Sequence, residues 1–258
     1  MRVTMLGSGP SWGVPRIGND WGACDPTNPR NRRRRVSVLV EEGGSTLLID
    51  TSPDLREQLL DARIKRIDAV LFTHAHADHL HGIDDLRIVN QLMKKALPVY
   101  ASAETLHEIR TRFGYVFGAT EAGRLSTYYK PALEPNTVGV GGPFRAAGFE
   151  VMPFAQDHGF STTLGFRIGR FAYSTDVINL GDDAFAALDG VELWIVDCIR
   201  RRPHVTHSHL EKTLEWIARA KPKRAILTHM DESLDYETLI RELPEGVEPG
   251  YDGLIADV

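Results

Sequence analysis

The sequence predicts an α/β (α+β) chain in which sheets are covered by helices, organised as a single domain over residues 1–258. Three observations carry this. Short β-rich runs recur along the chain, each bounded by Gly, Pro, Asn, Asp or charged residues, as strands are. Segments with helical spacing of apolar residues lie between them. The early runs come in hairpin-like pairs and the later ones alternate with helices, the mixture expected when helices pack on sheets.

The elements follow in order. "RVTML" opens the chain as a strand, and "VSVLVEEGGSTLLID" reads as two strands joined at Gly43-Gly44, a pair suited to a tight hairpin turn. "DAVLFTH" is a further strand, followed by helical spacing over 82–95, the strand "LPVYA" and helical spacing over 103–113. Then come the strands "FEVMPF", "LGFRI", "FAYST" and "ELWIVD", helical spacing over 208–220, the strand "RAILTH" and a helix over 235–242. Ser233 and Asp235 offer N-cap chemistry to that last helix. Residues 114–148 are rich in Gly, Pro and Thr without clear periodicity. A connection this long reads as a lid or wall of a site, or as a mobile surface segment.

Composition narrows the function classes. The chain is 42% hydrophobic and 25% charged, as in ordinary globular proteins. A formal net charge of −5 argues against broad contact with nucleic acid or anionic membrane. No stretch approaches the roughly 20 apolar residues of a membrane span. Two cysteines, Cys24 and Cys198, are too few for a disulfide framework. With no targeting pattern at the N-terminus, a cytoplasmic, reducing compartment fits.

The chemistry is concentrated in "LFTHAHADHLHG". His74 and His76 stand two apart after an apolar strand, so both point to one side. Asp78 and His79 follow where the chain turns into a helix and can reach the same spot. Imidazole and carboxylate are ligands that zinc prefers, and manganese or iron also suit them. Two ligands from the strand end and two from the helix start fit two adjacent metals better than one. His158, Asp176 and His229 each stand just past an apolar strand and are candidates for the remaining ligands.

The order HxHxDH, then His, Asp and His over this length resembles the metallo-β-lactamase superfamily. That resemblance implies a four-layer αββα sandwich with a dinuclear site at one edge of the sheets. It implies that His74, His76 and His158 hold one divalent metal, zinc or manganese. Asp78, His79 and His229 would hold the other, with the Asp176 carboxylate bridging. Asp50, ending "TLLID", matches an early strand-end aspartate that orients a ligand histidine; a helix N-cap before "SPDLREQLL" is its competing reading. His81 matches no ligand position.

The N-terminus, "MLGSGPSWGVPRIGNDWGACDP", is similar to the cyclic-phosphate phosphodiesterases (PhnP-like) of the carbon–phosphorus lyase pathway. A dinucleotide-binding reading of "GSGPSW" fails, because Trp12 stands where the third glycine belongs. In the phosphodiesterase branch a histidine ahead of the last metal ligand protonates the leaving oxygen. His207 matches it, with His209 as its neighbour, and such an acid spares the expulsion of an unprotonated alkoxide. Asp78 and Asp176 complete the catalytic set that the resemblance implies. The branch also carries a structural zinc held by three cysteines and a histidine. Here Asn19, Trp21, Cys24 and Glu232 stand at those places, so no structural cysteine zinc is expected.

"RNRRRRVSVLV" and Arg200-Arg201-Arg202 are basic runs whose forked guanidiniums suit phosphate oxygens, and Arg34, Arg35 and Arg201, with His209, are the candidate phosphate contacts. The expected substrate is a small phosphorylated molecule such as a ribosyl cyclic phosphate or a nucleotide phosphodiester. A stable nucleic-acid complex and a membrane are not expected, and the resemblance suggests a homodimer. The alternatives are a thioester or lactone hydrolase on the same scaffold, an RNA-processing phosphodiesterase, or a noncatalytic metal-stabilised module.

Overall fold

Apolar residues at alternate strand positions sort the β-rich runs into two facing sheets. The computed structural model describes residues 1–117 and 130–258. In the first sheet β1 (Arg2–Gly7), β2 (Ser37–Glu42), β3 (Ser45–Ile49), β4 (Ala69–Leu71), β5 (Leu97–Ala101) and β6 (Leu133–Thr137) lie side by side in chain order. The second sheet repeats the scheme with β7 (Phe144–Ala146), β8 (Phe149–Asp157), β9 (Thr162–Ile168), β10 (Phe171–Ser174), β11 (Leu193–Asp197), β12 (Arg224–Thr228) and β13 (Val247–Pro249). The last strand, β14 (Ile255–Asp257), returns to the first sheet and pairs antiparallel with β1.

The period of two decides which way each side chain faces. Val38, Val40, Leu47, Ile49, Ala69 and Leu71 point between the sheets, where they meet Phe166, Phe171, Tyr173, Leu193 and Ile195. Their neighbours Leu39, Leu48 and Val70 point outward beneath α1 (Leu55–Asp61), α2 (Ala77–Leu80), α3 (Leu86–Met93) and α4 (Ala103–Phe113). On the far side Ala172, Trp194, Val196, Ala225 and Leu227 pack under α5 (Asp182–Leu188), α6 (Leu210–Ala220) and α7 (Tyr236–Glu242). Because strands such as "AVLF" are covered on both faces, they read as continuous apolar runs rather than alternating ones. The result is the four-layer αββα sandwich. Phe166 lies fully buried at the centre of the inter-sheet core. Phe166→Ala is expected to cost about 3–5 kcal/mol, measured as the shift in urea unfolding.

Several local signals act as written. Gly43 and Gly44 both have positive φ, 57° and 81°, in the β2–β3 turn, which only glycine, Asn or Asp adopts readily. Asp235 caps α7 by accepting the Thr238 amide at 2.9 Å, and Ser102 caps α4 by accepting the Thr105 amide at 3.1 Å.

The 114–148 stretch differs from its expected irregularity. Residues 114–117 form a 3₁₀ turn that continues α4, and the edge strands β6 and β7 lie further on. Pro135 sits within β6, a place open to proline because the strand is at the sheet edge. The part of the proposed lid at 118–129 lies outside the described residues. Two short helices, α1 and α5, also join the expected set. Among the described residues no helix is long and apolar enough to cross a membrane.

The pairings fix where a site can form. From β3 to β6 the strands run parallel, as do β10 to β13. The C-terminal ends of β3, β4, β8, β10, β11 and β12 therefore share one edge of the sandwich, the position at which parallel α/β sheets bind ligands.

Candidate metal centre

Each of those strand ends delivers a titratable residue. Asp50 follows β3, His74 and His76 follow β4, His158 follows β8, Asp176 follows β10, and His229 follows β12. Asp78 and His79 enter from α2. Asp50, Asp176 and His229 have φ values of 63°, 54° and 59°. The left-handed region costs a residue with a Cβ on the order of 1–3 kcal/mol and persists where the surroundings enforce it, typically at functional sites. Here it turns each backbone sharply at the shared edge, beside the other donor residues.

Among the described residues three groups of donors result; Asp197, His207 and His229 form one, and the other two share Asp176. His74, His76, His158 and Asp176 offer ligand atoms within 4.8 Å of one another, and so do Asp78, His79, Asp176 and His229. Asp176 belongs to both, one oxygen to each. Its Oδ2 lies 3.6 Å from the Nε2 atoms of His74 and His158. Its Oδ1 lies 3.0 Å from His79 Nε2 and 3.4 Å from His229 Nε2. Asp78 Oδ2 closes the second group at 3.4 Å from both His79 and His229.

The backs of the rings are held by partners that fix the tautomer. His79 Nδ1 donates to Asp50 Oδ2 at 2.7 Å. His74 Nδ1 is 3.0 Å from Thr73 Oγ1, which in turn donates to Asp50 Oδ2 at 2.7 Å. Asp50 therefore orients two donor histidines, one directly and one through Thr73. It does not cap a helix, since α1 starts after Asp54. His158 Nδ1 donates to the Thr206 carbonyl at 2.8 Å. Among the described residues the inward Nε2 atoms of His74 and His79 are buried and make no well-aligned hydrogen bond, although Asp176 Oδ1 lies 3.0 Å from that of His79. Buried polar atoms left this way are costly unless something else binds them. An N/O donor set with orphaned, converging nitrogens fits divalent cations such as zinc or manganese.

Electrostatics agree. Burial alone pulls the His79 imidazole down, but Asp176, Asp78 and Asp50 outweigh it and hold it well above its ordinary range. Burial likewise pushes Asp176 up, while His229, His79 and His207 hold it well below. His79 and the carboxylates thus stabilise one another's charged forms, while burial holds His74, His76 and His158 below the usual imidazole range. Asp50→Asn is expected to weaken metal binding about 10–100-fold, read by competition with a chromogenic chelator, because Asp50 accepts on both oxygens and the amide must turn a donor toward one set of these partners.

His207 joins the same cleft. Its Nε2 lies 3.7 Å from Asp176 Oδ2, and its ring stacks on His229 with centroids 4.7 Å apart. Behind it stands Asp197 at the end of β11, a residue missed in the sequence. Asp197 Oδ2 lies 3.4 Å from His207 Nδ1, and Oδ1 lies 3.9 Å from His229 Nδ1. Burial lowers the His207 pKa, yet Asp197 and Asp176 raise it to about 9. The signal was available, because "ELWIVD" ends in aspartate as "TLLID" does. His209 stays outside this cluster as the residue preceding α6, and His81 packs on Phe113 with centroids 5.4 Å apart.

The arginine expectations are corrected. Arg34 pairs with Asp61 at 2.6 Å, Arg35 with Asp54 at 2.8 Å, and Arg201 with Glu242 at 2.7 Å. None of these partners belongs to the donor groups, so in this structure the three guanidiniums are engaged elsewhere. Arg33 is buried and serves as a staple, donating to the carbonyls of Asp231 at 2.9 Å and Leu234 at 2.6 Å, with Cys24 Sγ 3.8 Å away. Beside it Glu232 accepts from Trp12 Nε1 at 2.9 Å and pairs with Arg16 at 3.2 Å, while Asn19 accepts from Trp21 at 3.0 Å. Side-chain pairs thus hold the N-terminal loop against the residues after His229.

Comparison with known proteins places this geometry. A model of the beta-lactamase superfamily domain matches residues 45–230. A crystal structure described as a new diphosphatase from the PhnP family is 35% identical, with a TM-score of 0.90, covering 100% of this chain and 97% of that one. Zn(2+)-bound PqqB from Methylobacterium extorquens shares the fold at 20% identity and a TM-score of 0.77, each chain covered completely. Among curated relatives, an octanoyltransferase of Porphyromonas gingivalis is 35% identical over 99% of this chain and 51% of its own length. A ribonuclease Z of Mycobacterium sp. (strain KMS) is 27% identical over 78% of this chain and 79% of its own. The chain spans about half the length of the first curated relatives it matches, 51% and 45%. Taken with the αββα fold and the HxHxDH geometry, these matches show that the chain belongs to the beta-lactamase superfamily, with a metallo-β-lactamase fold close to that of the PhnP-family structure.

Proposed function

We propose that the protein hydrolyses a small phosphodiester or phosphoanhydride, such as a ribosyl cyclic phosphate or a nucleotide ester, with two divalent cations, zinc or manganese. The observation that carries this reading is His207, whose Nε2 faces the carboxylate shared by both donor groups while Asp197 backs its other nitrogen. His74, His76, His158 and Asp176 would hold one cation, and Asp78, His79, Asp176 and His229 the other. Bound there, divalent cations supply Lewis acidity toward phosphoryl oxygens and can lower the pKa of a coordinated water to roughly 7.

The chain's own groups do the rest. Asp50 and Thr73 keep His74 and His79 facing inward, and the Thr206 carbonyl does so for His158. With a pKa raised to about 9, His207 keeps its proton through neutral pH. It can therefore deliver that proton to a departing oxygen, and Asp197 stabilises the ring while it is charged. The relatives named a diphosphatase and a ribonuclease Z support chemistry at phosphorus. The test is turnover of bis(p-nitrophenyl) phosphate beside a thioester under identical metal loading. Phosphodiester cleavage is expected to dominate, and a clear preference for the thioester would overturn the assignment.

A further inference from the structure

Thr175 stands between β10 and the shared Asp176, and it is fully buried. Its Oγ1 donates to Asp176 Oδ1 at 2.8 Å, the oxygen that faces His79 and His229. A second buried group holds the backbone at the same place. Gln156, on β8 two residues before His158, donates from Nε2 to the Thr175 carbonyl and to Thr163 Oγ1, both at 3.0 Å. Thr163, on β9, in turn donates from Oγ1 to the Asp176 carbonyl at 3.0 Å. The glutamine fits because residue 165 is glycine, where a Cβ would lie 2.7 Å from Gln156 Oε1 and 2.2 Å from the Phe154 ring. Side chains thus tie β8, β9 and β10 together at the point where the Asp176 backbone turns to a φ of 54°.

The last torsion of an aspartate is broad, so something else must set the rotation of its carboxylate. Around Asp176 Oδ2 the imidazole nitrogens of His74, His158 and His207 stand at 3.6, 3.6 and 3.7 Å, beyond good hydrogen-bond length. The close, charge-assisted bond is the one from Thr175. We propose that Thr175 is a positioning residue that locks the Asp176 carboxylate with one oxygen toward each donor group, and so lets a second cation bind once the first is in place. The inference rests on the two-cation reading and assigns the group that makes the carboxylate bridge. A single cation can take an oxygen from either rotation of Asp176 and still draw on the other donors of its group. A second cation needs the remaining oxygen on its own side, and the locked rotation presents it there. Thr175 acts through Asp176 and does not itself touch the reacting atoms.

The test compares wild type with Thr175→Val, which keeps the shape and removes the hydroxyl, and with Thr175→Ser, which keeps the hydroxyl. Each zinc-loaded full-length protein is titrated with a chromogenic chelator, and the first ion withdrawn reports the second binding step. Wild type is expected to release two ions per chain. In Thr175→Val the first binding step should stay within about threefold of wild type while the second weakens about 10–100-fold, the range for loss of a group that orients a ligand. Thr175→Ser should bring the second step back to near wild type. Far-UV circular dichroism checks folding, and Thr175→Ala, which removes the same hydroxyl, is held to the same outcome. An unchanged second step, equal weakening of both steps, or no recovery in Thr175→Ser overturns the positioning role. A wild type that holds fewer than two ions overturns the two-cation reading instead, and this inference with it.

Discussion

Asp176→Ala is expected to strip the centre of its metals and leave no measurable hydrolysis. Among the described residues the carboxylate is the side chain common to the His74 and His79 donor groups, with Oδ2 toward His74 and His158 and Oδ1 toward His79 and His229. Alanine removes a ligand from each group at once and leaves histidines facing one another across the gap. Loss of an outer-shell partner alone costs about 10–100-fold in metal affinity or activity, so loss of a shared ligand should exceed that. Elemental analysis and turnover, measured on the same preparation, check both halves. Folding should survive, because Asp176 lies at the sandwich edge and not among the residues of the inter-sheet core. Far-UV circular dichroism close to wild type would separate an emptied centre from an unfolded chain.

His207→Ala is expected to act differently. Its ring lies beside the donor groups but belongs to neither of the two that share Asp176, so metal content should stay near wild type. The rate should fall by about 10²–10⁴-fold, the usual contribution of a general acid. That loss should be largest for alkyl leaving groups and small for p-nitrophenolate, which departs without a proton. The alkaline limb of the pH–rate profile, where His207 gives up its proton, should be absent from the variant. A uniform loss across leaving groups would remove the acid role and leave His207 as a packing partner of His229. Asp197→Asn should follow the same leaving-group dependence at smaller amplitude, since it acts through the His207 ring.

Much of this arrangement was legible because chemistry and topology leave the same trace. A polar ligand just after an apolar run is what a parallel strand ending at a binding edge looks like. His158, Asp176 and His229 could therefore be picked out although each is isolated in sequence. The spacing of His74, His76, Asp78 and His79 was equally plain, because a strand end passes directly into a helix there. Asp197 carried the same trace and was overlooked, since nothing metal-like stands near it in sequence. Thr73 was invisible for another reason: a lone threonine says nothing until its hydroxyl is seen to bridge His74 and Asp50.

Basic runs misled because arginines look alike until they are packed. Arg33, Arg34 and Arg35 are adjacent, yet one is a buried staple and two are tied to acidic residues of the neighbouring segment 54–61. The edge strands were lost because their sequences are weak strand formers. β6 reads "LEPNT", β13 "VEP" and β14 "IAD", and each gains its conformation from the strand it lies against. Short helices such as α5, "DDAFAAL", have too few turns for periodicity to show.

The most direct test is the metal content of protein purified without chelator and reloaded with zinc or manganese, determined by elemental analysis. The account predicts two divalent ions per chain, falling sharply in Asp176→Ala and unchanged in His207→Ala. A chain that takes up no metal under those conditions, yet still hydrolyses a phosphodiester, would contradict it.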